Sequence, residues 1–183
     1  MQAKLTSLLV GPTDRSKIFR FGEIDKILYE KYLKDVAEIL KKHVGTVNLI
    51  PDEGVPLDLA KKFRELNGDV VGYLPKGGCK SLEKNFKYCT SVEEFDSGWS
   101  GLNTCLSLKG DMLLALGMSP GTMVEVCYTR YHKKYFNKSL PIVLDKRTIS
   151  IAMPPEVSED IDLRYFDSFK QLDKILTEIR RLK

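Results

Sequence analysis

The stretch that decides the fold is DMLLALGMSPGTMVEV, residues 111–126. An apolar run ends at Gly117, a short Ser-Pro-Gly-Thr segment follows, and a helix-forming run comes next. Short, continuously apolar runs are typical of strands that are buried on both faces of a parallel sheet. The pattern predicts a strand, a loop and a helix whose N-terminus could bind a phosphate, because the first N–H groups of a helix lack partners. A tight turn without a ligand is the alternative.

The same alternation of apolar strands and amphipathic helices continues on both sides of this stretch. Residues 76–100 are less regular, with one short strand predicted at 87–90. Alternating strands and helices predict an α/β fold, which is Rossmann-like and doubly wound, with a mainly parallel sheet and helices on both faces. The length of 183 residues suits a single domain over 1–183. The other predicted strands are 5–10, 46–50, 69–75, 112–116, 140–144 and 163–166, and the helices are 23–43, 56–66, 103–108, 121–135 and 168–182.

The composition is that of a soluble globular protein, with 43% apolar and 30% charged residues. No apolar run approaches the roughly 20 residues that span a bilayer, and the N-terminal run is too short for a secretory signal, so we expect a cytoplasmic protein without membrane contact. The net charge of +4 is spread among interleaved acids and bases, whereas nucleic-acid binding usually needs a clustered basic face. We therefore do not expect nucleic acid as the main partner.

The cysteines and histidines do not predict a metal site. Cys79, Cys89, Cys105 and Cys127 form no C-x-x-C pair, and the chain has only two histidines. In a cytosolic chain these thiols are expected to be reduced. We therefore predict no metal.

Ligands of an open parallel sheet bind beyond the carboxyl ends of its strands, near the point where the strand order reverses. Three loops follow predicted strands and precede helices: 11–14, 51–54 and 118–122. Gly121 would let a backbone approach a phosphate closely, and the Thr122 hydroxyl could bind the phosphate or cap the helix. Neither G-x-G-x-x-G after the first strand nor G-x-x-x-x-G-K-[ST] is present, which disfavours NAD-binding and P-loop functions.

Glu125 follows closely in the predicted helix and has two explanations. A carboxylate near a helix N-terminus is stabilised by the helix dipole by about 0.3–1 kcal/mol. Alternatively, Glu125 is an acid, a base or a ribose-binding group of a site. Spacing alone leaves both explanations open.

The segment ALGMSPGTMVE, residues 115–125, resembles the P-G-G-x-G-T-x-x-E region of the LOG-like, or "lysine decarboxylase-like", Rossmann proteins of the SLOG superfamily. Residues 47–75 occupy the place of that family's second glycine-rich loop, helix and third strand, and Gly54 falls on a family glycine. Asn103 falls where the family has Arg-Asn or Arg-Lys before a helix. The architecture matches over about residues 5–145, and the specific motif is confined to Gly117, Gly121, Thr122 and Glu125.

The resemblance implies a phosphoribohydrolase, which cleaves the N-glycosidic bond of a nucleoside 5′-monophosphate. In such enzymes the helix N-terminus holds the phosphate, and the glutamate, here Glu125, acts with an upstream arginine on the ribose and the bond being cleaved. The resemblance also implies a nucleotide or phosphorylated small molecule as ligand, no separate cofactor and a homodimer. The nucleotide-binding residues predicted in this way are Gly11, Pro12, Thr13, Asp52, Gly54, Asn103, Gly117, Met118, Ser119, Gly121 and Thr122.

The chain departs from the family at positions that matter for catalysis. Met118 and Ser119 replace glycines, and the acids Asp52 and Glu53 would repel a phosphate although they could bind ribose hydroxyls. Leu102 stands where the arginine is expected, and a site without that cation loses stabilisation of a developing anion. We therefore favour a nucleotide- or phosphoribosyl-ligand-binding protein with altered or lost hydrolase activity. The alternatives are an active hydrolase with a cation from another loop or subunit, and a structural or protein-interaction domain with a decayed site.

Two groups of aromatic residues have a structural and a functional explanation. Trp99 could stack on a base at the mouth of the site, but packing on the core or on a dimer partner is favoured. Tyr128, Tyr131 and Tyr135 recur at helical spacing, and a subunit interface and core packing are equally compatible with that spacing.

Overall fold

The computed structural model of the chain describes residues 3–183 and contains one seven-stranded sheet. All six pairs of neighbouring strands are parallel, so the sheet is entirely parallel. The strands are β1 (Leu5–Val10), β2 (Val44–Leu49), β3 (Asp69–Pro75), β4 (Ser91–Phe95), β5 (Met112–Ala115), β6 (Ile142–Asp145) and β7 (Leu163–Phe166). Their order in the sheet is β4-β3-β2-β1-β5-β6-β7.

Helices cover both faces of this sheet. They are α1 (Ser16–Phe21), α2 (Tyr29–His43), α3 (Val55–Glu65), α4 (Trp99–Cys105), α5 (Pro120–Phe136), α6 (Pro155–Ser158) and α7 (Phe169–Arg181). The apolar residues of α2, α3 and α7 form one core with the sheet, and those of α4 and α5 belong to a second core on the opposite face. The predicted Rossmann-like α/β fold is therefore confirmed. None of the helices within residues 3–183 is long and apolar enough to cross a membrane.

The irregular segment between β3 and α4 differs from its prediction. The strand predicted at 87–90 is wrong, because Lys80–Tyr88 is a 3₁₀ helix and the strand is β4. Thr90 ends the 3₁₀ segment by donating its N–H to the carbonyl of Val70, 2.7 Å away, and pairing with β3 begins at Ser91. Strand β4 lies at the edge of the sheet with no fully buried residue, so it lacks the apolar run from which the inner strands were predicted.

Several helix ends also differ from prediction. Helix α2 begins at Tyr29 rather than at residue 23, and β2 begins directly after it at Val44. The loop after β1 contains α1, and the helix predicted at 103–108 begins earlier, as α4. Helix α7 begins at Phe169, and its N-cap Ser168 accepts from the N–H of Gln171.

The strand order reverses between β1 and β5. From β1 the chain places β2, β3 and β4 outward on one side, and β5, β6 and β7 follow on the other side. The helix that follows β1 and the helix that follows β5 pack on opposite faces of the sheet. The connections therefore diverge at this point and leave a crevice beyond the carboxyl ends of β1 and β5.

Gly54 holds the loop after β2 against the loop after β1. It has a φ of +104°, and the N–H of its neighbour Val55 donates to the carbonyl of Pro12, 3.1 Å away. A Cβ atom at Gly54 would lie 2.5 Å from that carbonyl oxygen and would overlap the Cα atom of Thr13. Only glycine combines this backbone conformation with so close an approach.

We expect Gly54→Ala to lower the free energy of unfolding by at least about 2 kcal/mol, because strained backbone and overpacking each cost on that scale. Gly121→Ala is the matched control, since it also changes a glycine at a helix N-terminus but a Cβ there has no neighbour closer than 3.9 Å. The control should be neutral or slightly stabilising, because alanine favours helix. Urea unfolding of both variants checks this, and equal stabilities would contradict the role of Gly54.

Candidate functional site

A cavity of about 280 Å³ opens at the crevice between β1 and β5. The carboxyl ends of β1 and β2, the loops that follow them, α4 and the N-terminus of α5 form its walls. Its lining residues are Leu9, Val10, Gly11, Thr13, Ile50, Asp52, Glu53, Pro56, Trp99, Asn103, Ser119, Gly121, Thr122 and Glu125.

The structure brings most of the predicted site residues together. The predicted residues that line the cavity are Gly11, Thr13, Asp52, Asn103, Ser119, Gly121, Thr122 and Glu125. They come from four separate segments of the chain, so the fold assembles them. Glu53 was predicted only as an acid of the loop after β2, and Pro56 and the apolar floor formed by Leu9, Val10 and Ile50 were not predicted. The floor residues stand at the ends of predicted strands, and this position is the signal by which they could have been predicted as part of the site.

Four predicted residues do not line this cavity, namely Pro12, Gly54, Gly117 and Met118. Pro12 and Gly54 form the contact between loops described above. Gly117 has a φ of +87°, and its N–H donates to the hydroxyl of Thr148 at 2.7 Å, so it turns the chain after β5. Met118 faces a neighbouring apolar cavity. These residues shape the loops around the site rather than its surface.

The N-terminus of α5 is capped by Ser119. Its hydroxyl oxygen accepts from the N–H of Thr122 at 3.2 Å, and the two hydroxyls are 2.9 Å apart. Pro120 occupies the first helical position, where its missing N–H leaves no unpaired donor. The N–H of Gly121 belongs to the first turn, whose donors have no acceptor within the helix. The partial positive charge of this end and the absent side chain of Gly121 suit a phosphate.

Glu125 lies beyond the first turn of α5 and is only 9% exposed. Burial raises the pKa of its carboxyl group to about 8. No protein group within residues 3–183 forms a hydrogen bond with this carboxyl group. This environment contradicts the explanation of Glu125 as a carboxylate stabilised by the helix dipole. At neutral pH the group is mainly uncharged, so it can donate one hydrogen bond and does not repel an anion.

The opposite wall of the cavity is acidic and no lining residue is a lysine or arginine. Asp52 and Glu53 are exposed there, and Lys84 forms a salt bridge with Glu53 that lowers the pKa of Glu53. Leu102, which stands where the LOG-like family has arginine, is fully buried in the core beneath α4. Its neighbour Asn103 lines the cavity instead. The fold therefore uses position 102 for packing.

The aromatic residues lie on the surface. Trp99 is 45% exposed at the start of α4 and lines the cavity, so packing in the core is wrong for this residue. Tyr128, Tyr131 and Tyr135 are 38%, 41% and 65% exposed, which excludes core packing for them as well. Their ring centroids are 5.1 and 6.1 Å apart along one face of α5.

No protein-family model and no curated protein matches this chain. Solved structures do match it. TM1055 has 16% sequence identity and a TM-score of 0.69, with 96% of this chain and 99% of that chain covered. The molybdenum cofactor carrier protein from Chlamydomonas reinhardtii has 17% identity and a TM-score of 0.64, with 97% and 98% covered.

A third similar structure is that of DNA processing protein A from Helicobacter pylori, a protein that binds single-stranded DNA. It has 13% identity and a TM-score of 0.57, and the match covers 95% of this chain and 80% of that chain. Similarity at these identities shows the fold that the chain shares with these three proteins.

We expect the stability difference between Glu125→Gln and the wild type to depend on pH. The pKa of Glu125 is raised from 4.5 to about 8 on folding, so only the unfolded state loses the proton between these values. The wild type should therefore lose stability relative to the variant as pH rises from 5 to 8, at up to about 1.4 kcal/mol per pH unit. Urea unfolding at several pH values measures this.

The variant Glu156→Gln, on an exposed side chain, controls for the loss of one carboxylate. A difference between Glu125→Gln and the wild type that stays constant from pH 5 to 8 would show that Glu125 is ionised in the folded protein. That result would contradict the neutral form inferred from its burial.

Proposed function

We propose that this chain is a LOG-like protein that binds a nucleotide or a related phosphoribosyl ligand, and that its hydrolase activity is altered or lost. The observation that carries the proposal is the cavity at the reversal of strand order. It joins a capped helix N-terminus with Asp52, Asn103 and Glu125. These features line one space of about 280 Å³.

The proposed ligand lies with its phosphate at the first turn of α5. The N–H of Gly121 donates to a phosphate oxygen there, and the neutral carboxyl of Glu125 adds no repulsion. Asp52 accepts hydrogen bonds from ribose hydroxyls, which a carboxylate can do without a counter-ion. Trp99 is half-exposed at the cavity and offers a face on which a base can stack.

Binding without the family's hydrolysis is favoured by the charges of the cavity. Glu125 retains its proton at neutral pH and could act as a general acid towards a leaving base. Bond cleavage also requires stabilisation of developing charge, and the lining residues include no lysine or arginine for that task. The hydrolase alternative therefore depends on a cation supplied by another copy of the chain.

The molybdenum cofactor is a second candidate ligand. The observation that favours it is the fold that the chain shares, over 97% of its length, with the molybdenum cofactor carrier protein from Chlamydomonas reinhardtii. We treat the cofactor as a competitor of nucleotides in the binding experiment below.

We expect nucleoside monophosphates or ribose 5-phosphate to raise the melting temperature of the wild type, because a ligand of the folded state alone stabilises it. In Gly121→Ala the new methyl group would occupy the approach to the first turn of α5 without disturbing other protein atoms. This variant should keep its own melting temperature and lose most of the ligand-induced rise. A thermal-shift screen that includes the molybdenum cofactor makes both measurements.

The same samples separate the alternatives. The hydrolase would be established if the wild type released free base and Glu125→Gln did not, although the variant still bound the ligand. An equal rise in melting temperature for wild type and Gly121→Ala would exclude phosphate at α5. No rise with any ligand would favour a structural or protein-interaction domain with a decayed site.

We also propose that the chain is a cytoplasmic homodimer. Its support is a charge-free row on one face of α5, formed by Val124, Tyr128, Tyr131 and Tyr135, all of which are exposed. Exposed apolar faces of this kind mark interaction sites, and a two-fold axis allows one such face to bury its own copy.

We expect Tyr131→Glu combined with Tyr135→Glu to convert the dimer into a monomer, because four carboxylates would then meet in one apolar interface. Light scattering coupled to size-exclusion chromatography measures the mass. Ile27→Glu, at a residue that is 88% exposed in a different segment, is the control and should remain dimeric. A wild type that is monomeric at micromolar concentration would contradict the proposal.

A further inference from the structure

A second cavity of about 310 Å³ lies next to the first and is rich in cations. Glu53 lines both cavities and forms part of the wall between them. The residues that line the second cavity, here called the cationic pocket, are Arg15, Glu53, Leu57, Lys61, Lys84, Asn85, Lys87 and Tyr88.

The positive charges of the cationic pocket exceed the negative ones. Arg15 is bound by Asp58, with Nη2 and Oδ1 2.9 Å apart, and Lys61 reaches the same carboxylate at 3.2 Å. Lys84 is paired with Glu53. Lys87 pairs with no carboxylate within residues 3–183. Four cations thus face the carboxylates of Asp58 and Glu53, and Asp52 also acts on Lys84, so the pocket keeps a surplus of positive charge.

The fold holds these cations together. The ammonium groups of Lys61, from α3, and Lys87, from the 3₁₀ segment, lie 4.7 and 5.1 Å from the ring centroid of Tyr88. Asn85 is buried, and its side-chain amide donates to the carbonyl of Pro51 at 2.9 Å, which fixes the 3₁₀ segment to the loop after β2. Like charges that converge from separate elements repel each other, and an anion between them removes that repulsion.

We propose that the cationic pocket binds a second phosphate group of the ligand whose first phosphate lies at α5. This inference rests on the proposed function and deepens it, because it assigns the ligand to nucleotides phosphorylated at two positions. A surplus of positive charge attracts a phosphate, and lysine ammonium groups bind phosphate as point charges. The shared wall at Glu53 places the two sites beside one another.

The two sites hold phosphate by different means. The first cavity offers the N–H of Gly121 and a helix end but no cationic side chain, whereas the cationic pocket offers ammonium groups that are partly or fully exposed. Attraction between exposed charges is screened by salt within about 10 Å at 0.1 M ionic strength. A bisphosphate should therefore bind more tightly than a monophosphate at low salt, and this advantage should shrink as salt is added.

The test compares adenosine 5′-monophosphate with adenosine 3′,5′-bisphosphate by isothermal titration calorimetry. We expect the wild type to bind the bisphosphate about tenfold more tightly or better, which is the scale of one or two charge-assisted hydrogen bonds. Lys87→Gln should remove part of this preference, and Lys61→Gln/Lys87→Gln most of it, with the affinity for the monophosphate unchanged. Lys26→Gln/Lys170→Gln removes two exposed lysines that line neither cavity and should retain the preference.

Inorganic pyrophosphate tests the cationic pocket without the first cavity. We expect it to shift the backbone amide NMR signals of residues 84–88 in the wild type and not in Lys61→Gln/Lys87→Gln.

If adenosine monophosphate fails to bind but pyrophosphate gives these shifts, the proposed function fails and the cationic pocket stands as an anion site. The absence of these shifts, or an equal loss of both nucleotides in the lysine variants, would overturn the inference. The inference would also be overturned if a single-stranded oligonucleotide bound far more tightly than the bisphosphate and its binding depended on the same lysines.

Discussion

The reversal of strand order between β1 and β5 is the constraint on which the candidate site depends. Because the helices after these two strands pack on opposite faces, a space is left between their first turns. The loops around that space must then be held open by backbone contacts. Gly54 and Gly117 provide these contacts with positive φ angles, where a side chain would strike a neighbouring loop. The crevice is therefore a product of topology, and the glycines set its width.

Electrostatics inside the crevice follow from burial. A carboxylate at Glu125 would be costly in an enclosed wall without hydrogen-bond partners, so the folded protein favours its neutral form. A neutral carboxyl beside a helix N-terminus leaves the partial positive charge of that helix available to an anion. In the proposed complex the acids on the far wall would keep phosphate away from that side, which would orient a nucleotide with its ribose towards Asp52. One cavity can thus distinguish the two ends of a ligand without a cationic side chain.

The fold was predictable where residues are buried on both faces of the sheet. The runs at β1, β2, β3 and β5 are mostly apolar and were predicted within two residues, whereas the half-exposed edge strand β4 was misplaced. In the candidate site, the helix N-terminus at 119–122 could be predicted from the sequence because it follows a buried strand. Glu125 could be predicted for the same reason. Burial of Glu125 and of Leu102 could not be predicted, since it depends on how α4 and α5 pack together. The cationic pocket escaped prediction because its lysines are scattered along the chain and converge only in the fold.

The pairing of Lys84 with Glu53 links the two cavities physically. While the cationic pocket is empty, Lys84 compensates the negative charge of Glu53, which also lines the first cavity. A phosphate in the cationic pocket competes for Lys84 and leaves Glu53 less compensated. Binding of the second phosphate therefore does not strengthen binding of the first through Glu53. Any favourable coupling between the two sites must come from the covalent link that joins the two phosphates. A ligand with both groups on one ribose gains that link, as multivalent binding does, whereas two separate monophosphates do not.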